Sequence, residues 1–283
     1  MSVLKLENVN YIYGEGTSTQ TQALKDINLE IKKGEFVAII GHTGSGKSTL
    51  IQHFNGLEKP TSGTVYYDGK SLYDSDFDMK AHRCKIGLVF QYPEHQLFED
   101  TVINDVCFGP RNQGLSQDEC IKKAEEALEL VGFRKDLYET SPFELSGGQK
   151  RRAAIAGVLA MEPDILILDE PTAGLDPAGR DKILMRLKKL NEEKNIGIVL
   201  VSHSMEDVAN YAHRIIVMNN GEVEYDDTPA NVFKHYKELE KIGLAAPQIT
   251  YIMHQLKENG YDVDENIINL EDAKENILKV LEK

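Results

Sequence analysis

The sequence has no long hydrophobic run, although its 283 residues are enough to bury a sizeable core. Its most apolar stretches, residues 36–40 and 165–168 among them, have the length of strands and fall far short of the roughly 18 residues that cross a bilayer. We therefore expect that the chain does not span a membrane by itself. The first residues contain neither a basic segment nor a continuous apolar one, so secretion is not expected.

Cysteine is scarce and basic residues are outnumbered. The three cysteines, Cys84, Cys107 and Cys120, are odd in number and irregularly spaced, which favours neither a disulfide framework nor a zinc site and fits a reducing cytoplasm. With 32 Lys and Arg against 46 Asp and Glu, the formal net charge is −14. Such a chain lacks the general attraction to phosphate backbones that drives non-specific nucleic-acid binding. We expect no nucleic-acid partner, although a local basic patch is compatible with this charge.

The order of apolar segments predicts an α/β protein. Residues 4–9 and 24–31 alternate with a period of two around a polar loop, which predicts antiparallel strands. Continuous apolar segments typical of buried strands follow, with helical patterns between most of them, at residues 36–40, 86–90, 165–168, 198–201 and 215–218. This alternation favours a parallel sheet.

Two further regions are predicted to be helical. The main pattern in residues 92–149 is helical, with Cys120, Ala124 and Ala127 on one face, and we interpret it as an inserted helical subdomain. Residues 229–283 also carry helical patterns and are predicted to extend a domain that covers residues 1–228. An amphipathic helix in this extension could pack on its own domain or serve a contact between subunits, and the sequence leaves both open.

A glycine-rich loop separates the apolar segment at 36–40 from a helical pattern. Its residues are Gly41-His42-Thr43-Gly44-Ser45-Gly46-Lys47-Ser48, which fit the spacing G-x-x-x-x-G-K-[ST] of phosphate-binding loops. The glycines let successive N–H groups point at phosphate oxygens, Lys47 supplies a point charge, and Ser48 can ligate Mg²⁺. We assign this loop and Thr49 to a nucleoside triphosphate site.

Two acidic residues, Asp169 and Glu170, end the apolar segment at 165–168. Ligands gather at the carboxyl ends of parallel strands. Asp169 can hold a metal ion through a coordinated water, and Glu170 can accept a proton from a water that attacks the γ-phosphate. Alone, the pair could equally form a solvated turn, but beside a phosphate loop the catalytic interpretation is favoured.

A second loop offers similar groups to an anion. It consists of Ser146-Gly147-Gly148-Gln149 and also precedes a helical pattern, so it presents a hydroxyl, glycine N–H groups and a helix N-terminus. It has no Lys-Ser pair to anchor a nucleotide of its own. It therefore either caps the nucleotide of the first loop or reaches one held by another chain.

Taken in order, these motifs resemble those of ABC-type ATPases over residues 3–229. The residues that carry the resemblance are Gly41 to Ser48, Gln91, Leu145 to Gln149, Asp169-Glu170, Ala173-Gly174-Leu175-Asp176 and His203. The resemblance implies a RecA-like P-loop ATPase core, an antiparallel β-subdomain, an inserted helical subdomain and a head-to-tail dimer. Two ATP molecules with Mg²⁺ would lie between the two chains.

The resemblance also implies a role for single residues. Ser146 and Gly148 would contact the γ-phosphate bound by the partner, with Gly147 and Gln149 in the same loop. Gln91 would sense Mg²⁺ and the attacking water, His203 would contact the γ-phosphate, and Asp176 would couple the two sites. Without the resemblance, His203 could be an ordinary histidine at a strand end.

Aromatic and basic residues near these motifs have alternative interpretations. Tyr13 resembles the aromatic residue that stacks on adenine, with Tyr11 as the alternative, although Tyr13 could also be a strand residue packed on the core. Arg151 and Arg152 are interpreted as a solvated basic face that could add positive potential near the partner's phosphate, and we leave them out of the site.

A narrower resemblance, to energy-coupling factor transporter ATPases, rests on residues 90–98, residues 108–112 and the tail after Pro229. Within that group, residues 141–144 and 169–174 resemble the A-prime type. This resemblance implies an ATP-hydrolysing subunit at the cytoplasmic face of the cell membrane, paired with a paralogous ATPase subunit. The pair would drive a membrane T component joined to a substrate-binding S component, usually for vitamins or metal ions.

Two other functions are compatible with an ABC-type chain. One is the ATPase of a conventional ABC importer that uses a separate binding protein. The other is a soluble ABC ATPase of DNA repair or translation, but such proteins tend to carry tandem cassettes, long coiled coils or basic arms, which this acidic single cassette lacks.

Residues that follow Gln91 are candidates for coupling to a membrane partner. Glu94, Leu97 and Phe98 combine an acidic and two apolar side chains where the helical subdomain begins, a composition that suits a docking groove. By the resemblance, Glu94 would accept an arginine of the T component. Alternatively, Leu97 and Phe98 pack inside the subdomain and Glu94 is solvated.

Overall fold

The structure is a computed structural model that describes residues 2–281. Its strands are β1 (Ser2–Tyr13), β2 (Thr21–Lys32), β3 (Phe36–Ile40), β4 (Ser62–Tyr67), β5 (Lys70–Ser71), β6 (Ile86–Val89), β7 (Ile165–Asp169), β8 (Gly197–Val201), β9 (Arg214–Asn219) and β10 (Glu222–Asp227). Its α-helices are α1 (Lys47–Phe54), α2 (Met79–Lys85), α3 (Val102–Asn112), α4 (Gln117–Leu130), α5 (Gly147–Leu159), α6 (Pro177–Lys194), α7 (Met205–Tyr211), α8 (Pro229–Phe233), α9 (Tyr236–Lys241), α10 (Gln248–Glu258) and α11 (Leu270–Leu281).

Two sheets form the framework of the molecule. An antiparallel sheet has the order β2-β1-β4-β5, and a six-stranded sheet has the order β10-β9-β3-β8-β7-β6. In the larger sheet β9, β3, β8, β7 and β6 run parallel, whereas β10 pairs antiparallel to β9 at the edge. This mixed architecture confirms the predicted α/β core with an antiparallel subdomain.

The central strands are apolar throughout because both faces of the larger sheet are covered. Every residue of β3 and of β8 is buried. Along β3, Phe36, Ala38 and Ile40 pack into one apolar cluster, while Val37 and Ile39 pack into the other. The first cluster joins the sheet to the helices on one side, and the second joins it to the antiparallel sheet and α1 on the other. A continuous apolar run, rather than an alternating one, is the sequence pattern of such a strand.

Two α-helices, α3 and α4, lie within the region predicted to be a helical subdomain, and α5 begins at its end. A short 3₁₀ turn at Pro93–Gln96 leads into them. Helix α4 begins at a capping box, in which the N–H and hydroxyl of Ser116 both donate to the carboxylate of Glu119. Cys120, Ala124 and Leu128 are buried on one face of α4, as their spacing predicts.

The carboxyl-terminal helices pack in two different ways. Val232 and Phe233 of α8 and Leu239 of α9 belong to the main apolar cluster of the domain. By contrast, α10 and α11 enclose a small cluster of their own around Met253 and Ala273. The predicted division at residue 229 therefore does not coincide with a break in the packing of the core. Within residues 2–281, no helix has both the length and the apolar character needed to cross a membrane.

Candidate active site

The strand order of the larger sheet brings four segments of the chain to one edge. The loop 41–48 follows β3, His203 lies two residues beyond β8, Asp169 ends β7, and Gln91 lies two residues beyond β6. Since β3, β8, β7 and β6 are successive parallel neighbours, their carboxyl ends lie side by side. Residues that are more than 150 positions apart in the sequence thus meet at one place, where open α/β sheets bind ligands.

The backbone of the glycine-rich loop needs glycine at its last turn. Gly46 has φ = 104°, and a Cβ at this position would lie 2.6 Å from the carbonyl oxygen of Ala23. Both the left-handed backbone and the close approach exclude a larger residue. Thr43, Gly44 and Ser48 are exposed, while Ser45 and Lys47 are buried. The loop therefore presents part of its surface outward at the N-terminus of α1.

Lys47 is held inside the loop by carbonyl groups. Its Nζ donates to the carbonyl oxygen of Gly41 at 2.7 Å and to that of His42 at 3.0 Å. An ammonium group has three N–H donors, so one is left for an acceptor outside the loop. Burial lowers the pKa of Lys47, against the opposing effect of the carboxylates of Glu170 and Asp169. The charged lysine and the two carboxylates therefore share one site.

The turn between β9 and β10 contacts and supports the glycine-rich loop. The sequence did not predict this contact. The N–H of Gly221 donates to the carbonyl oxygen of Ser45 at 3.0 Å. The Nε2 of His42 lies 3.3 Å from Oδ1 of Asn219. An asparagine followed by glycine marks a turn in the sequence, but no local pattern indicates that it contacts residues far earlier in the chain.

The two carboxyl groups at the end of β7 have raised pKa values. Burial raises the pKa of Asp169, against the opposing effects of Lys47 and the hydroxyl of Ser48. Burial, together with the charge of Asp169, raises the pKa of Glu170 to about 7. A carboxyl group with a pKa near neutral is suited to accept and release a proton.

Glu170 is held in an uncommon conformation. Its φ is 51°, in the left-handed region that residues with side chains rarely adopt, and its N–H donates to the carbonyl oxygen of Val201 at 3.1 Å. Within residues 2–281, its buried Oε1 accepts no hydrogen bond. The Nε2 of His203 is 3.4 Å from this oxygen. Strained backbone and an unpartnered buried oxygen are features of functional sites rather than of stabilising contacts.

Two tyrosines of β1 lie against α1, but only one of them is strongly exposed. The ring of Tyr13 is 42% exposed, and its hydroxyl lies 3.0 Å from Oγ1 of Thr49. Tyr11 is only partly exposed, and its hydroxyl donates to Glu58 at 2.6 Å. The two rings meet edge to face with their centroids 4.8 Å apart. Tyr13 thus presents an aromatic surface next to the first turn of α1.

The second glycine loop stands apart from this site. Ser146 is the N-cap of α5, and both its N–H and its hydroxyl donate to Oε1 of Gln149, at 2.8 and 2.9 Å. Ser146 and Gly147 are exposed, whereas Gly148 approaches Leu175. Within residues 2–281, no hydrogen bond links this loop to residues 41–49. Asp176, at the N-cap of α6, accepts a hydrogen bond from the N–H of Gly179.

Comparisons with known proteins show what the chain is related to. A sequence profile of the family described as ABC transporter matches residues 24–173. An energy-coupling factor transporter ATP-binding protein EcfA2 from Clostridium tetani is 55% identical over 98% of this chain and 96% of its own. The protein of the same name from Clostridium perfringens is 53% identical over 98% of each chain.

Solved structures agree with these sequence relatives. The structure of cbiO1 from Clostridium perfringens, part of the ABC transporter complex cbiONQ, has a TM-score of 0.76 and 42% identity, and the match covers 90% of this chain and 99% of that chain. The bacterial ABC transporter cassette MJ0796, a dimer, has a TM-score of 0.72 and 40% identity over 80% of this chain and 98% of that chain. The chain belongs to the ABC-type ATP-binding subunits of energy-coupling factor transporters. The predicted family and ATPase activity are thereby confirmed.

One residue pair of this energy-coupling factor ATPase differs from the expectation. Glu94 does not present a free carboxylate, because both of its oxygens accept hydrogen bonds from Arg151. Arg151 is 3% exposed and is not part of a solvated basic face. Arg152 is half-buried, and burial lowers its pKa. Glu94 therefore acts as an internal partner of α5.

The apolar residues that follow Glu94, Leu97 and Phe98, differ in burial. Leu97 is buried in the main cluster, whereas Phe98 is 57% exposed and meets Phe108 of α3 edge to face at 5.0 Å. These aromatic rings line an open groove of about 600 Å³ that also includes Met79, Ala154 and Met161. The energy-coupling factor ATPase thus has an apolar groove where the sequence predicts one, but Glu94 is not among its lining residues.

Proposed function

We propose that this ATPase hydrolyses ATP to drive an importer of a vitamin or another micronutrient from the cytoplasmic face of the membrane. The observation that carries the proposal is the buried Oε1 of Glu170, which accepts no hydrogen bond within residues 2–281 and lies beside Lys47 and Asp169, at the glycine-rich loop. A buried carboxyl group with a pKa of about 7 can take a proton from water at neutral pH. The names of the relatives supply the link to transport.

The groups that would hold a metal ion carry oxygen atoms. Ser48 provides a hydroxyl, Asp169 a half-buried carboxylate and Gln91 an amide oxygen. Such hard oxygen donors fit Mg²⁺, which is bound by one or two protein groups together with substrate phosphates. When bound, Mg²⁺ would neutralise charge that develops on the phosphate oxygens. The raised pKa of Asp169 is consistent with this fit, because a buried carboxylate gains most from a nearby cation.

The protein's own side chains would bind the nucleotide and activate the attacking water. The third N–H of Lys47 and the N–H groups of the loop would bind the β- and γ-phosphates. Glu170 would hold the attacking water through Oε1 and accept its proton. His203, whose pKa burial lowers, would be a neutral imidazole that donates a hydrogen bond to the γ-phosphate. Tyr13 would stack on adenine, since it exposes more of its ring than Tyr11 does.

The second glycine loop supports a shared site between two ATPase chains. It offers N–H groups and a hydroxyl at the N-terminus of α5, and in the described part of the chain it makes no hydrogen bond to the glycine-rich loop. We infer that Ser146 to Gln149 complete the site of a paralogous ATPase subunit, and that Asp176 lies at the same interface. Turnover would then depend on the concentration of the partner.

The apolar groove is the proposed binding site for the membrane T component. The S component would be linked to this chain through the T component. Phe98 and Phe108 expose 57% and 43% of their surface side by side there, and a contiguous exposed apolar patch is typical of an interaction site. A helix with apolar side chains would cover these rings. The groove is also lined by the basic Lys80 and Arg83 and by the buried Asp105.

The experiment that tests this function is copurification of the tagged chain from membranes. The proposal predicts a related ATPase, a membrane protein and a small substrate-binding membrane protein in the complex, with ATP-dependent uptake after reconstitution in vesicles. Recovery with a separate extracytoplasmic binding protein, and without the substrate-binding membrane protein, would contradict it.

A further inference from the structure

One buried guanidinium group joins three segments that flank the ATP site. Arg151 lies on α5, five residues after Ser146, and only 4% of its side chain is exposed. Its Nη1 donates to the carbonyl oxygens of Pro171 and Ala173, at 3.1 and 2.5 Å. Its Nη2 donates to Oε1 of Glu94 at 2.9 Å, and its Nε donates to Oε2 at 3.2 Å.

Each contacted residue is close in sequence to a residue assigned to the ATP site. Pro171 directly follows Glu170, and Glu94 lies three residues after Gln91. The arginine itself belongs to the helix that begins at the second glycine loop. A single side chain therefore connects the segment of the catalytic carboxylate, the segment of the glutamine and the loop that reaches the partner's nucleotide.

The chemistry of this contact requires arginine. A guanidinium group presents its donors in a rigid planar fork, which can bind a carboxylate with one edge and backbone carbonyls with another. An ammonium group has no such fixed directions, so Lys at position 151 would not satisfy Glu94 and both carbonyls together. Because the group is buried and fully hydrogen bonded, it holds the three segments at fixed distances rather than as a mobile surface pair.

We propose that Arg151 is a positioning residue that keeps the second glycine loop in register with Glu170 and Gln91. A displacement of the glutamine segment moves Glu94 and, through Arg151, the start of α5. The orientation of the loop toward the partner's nucleotide is thus tied to the state of this chain's own catalytic segment. This inference rests on the proposed function.

The test compares Arg151→Met and Arg151→Lys with the wild type, each in the copurified transporter complex and as the purified full chain. We expect MgATP binding by the full chain to stay within about threefold, because the glycine-rich loop is untouched. The kcat of the complex should fall by roughly tenfold or more in the Met variant, and by less in the Lys variant, which keeps the charge. Arg134→Met, which breaks an exposed pair with Asp136, is the matched control and should not change kcat.

A double-mutant cycle with Glu94→Gln decides whether the two residues act as a unit. If they do, Arg151→Met combined with Glu94→Gln lowers kcat no more than Arg151→Met alone. An unchanged kcat in an active complex would overturn the inference. A lower kcat in Arg151→Met and Arg151→Lys would also overturn it if both variants bind MgATP more weakly and melt at a lower temperature to the same extent. A wild-type complex without ATP hydrolysis would overturn the proposed function instead.

Discussion

The imidazole of His203 and the carboxyl group of Glu170 face each other at adjacent strand ends, with Nε2 3.4 Å from Oε1. Burial shifts their pKa values in opposite directions, down for His203 and up to about 7 for Glu170. Near neutral pH the imidazole is therefore neutral, and the carboxyl group is the one that titrates. The two groups therefore do not form a fixed ion pair near neutral pH, as the proposed role of Glu170 as proton acceptor requires.

The pH dependence of hydrolysis should report this carboxyl group. Glu170 accepts a proton only when it is ionised, so kcat/KM should fall as the pH drops through about 7, by roughly tenfold per unit on the acid side. The measurement is a pH profile of ATP hydrolysis by the complex. ATP also titrates in this range, and Glu170→Gln separates the two effects because only the nucleotide titration remains in that variant. An acid limb of equal slope and midpoint in both proteins would contradict the assignment.

Glu170→Gln should separate binding from chemistry. The amide keeps the size of the side chain but cannot accept the proton, so turnover should fall by roughly 10²–10⁴ while MgATP remains bound. Hydrolysis rates and equilibrium binding of the nucleotide check both parts. Near-wild-type turnover would show that another group activates the water.

Lys47→Ala should weaken ATP binding. The change removes a charged donor from the phosphate loop, and a hydrogen bond to a charged group contributes about 1.5–3 kcal/mol. Calorimetry with MgATP measures the loss, with Lys189→Ala as a control from an exposed ion pair of α6. Equal affinity in Lys47→Ala and the control would count against the site.

Tyr13 and Tyr11 can be told apart by substitution. Tyr13→Ala should cost about 1–3 kcal/mol of affinity for ATP, the usual contribution of a ring stacked on a base, whereas Tyr13→Phe keeps the ring and should bind normally. The affinity for inorganic triphosphate, which has no base, should be the same in all variants. Weaker ATP binding in Tyr11→Ala alone would assign the stacking role to Tyr11.

Phe98→Asp should prevent assembly with the membrane partner. A charge placed in the apolar groove would lose its hydration when a helix covers it, so the amount of copurified membrane protein should drop. MgATP binding by the purified chain should not change. Met185→Asp introduces the same charge at an exposed apolar side chain of α6 and serves as control. Equal recovery of the complex from both variants would reject the groove.

The features that the sequence predicted are those encoded by local patterns. The strand β3, the loop Gly41 to Ser48 and the acidic end of β7 each lie in a short segment whose residue types restrict the backbone or the burial. The parallel order of the strands then follows from the alternation with helices.

The features that escaped prediction depend on distant contacts or on the choice of a face. Arg151 meets Glu94 across 57 residues, and no spacing rule relates the two. Leu97 and Phe98 are neighbours of similar hydrophobicity, yet one is buried and the other is exposed, because only the packing of α3 and α5 decides which side faces the core. The same argument applies to the support that Asn219 gives to His42.

The separate apolar cluster of α10 and α11 has a consequence for how the chain opens. The cluster is small: three buried side chains, Met253, Val263 and Ala273, form its centre, and partly buried residues such as Ile249 and Ile277 pack around them. Local unfolding there exposes little apolar surface, so its free energy is lower than that of opening β3 or β8 in the main core. Amide protons of α10 and α11 should exchange with solvent well before those of the central sheet, and heating should release these helices first while the nucleotide remains bound.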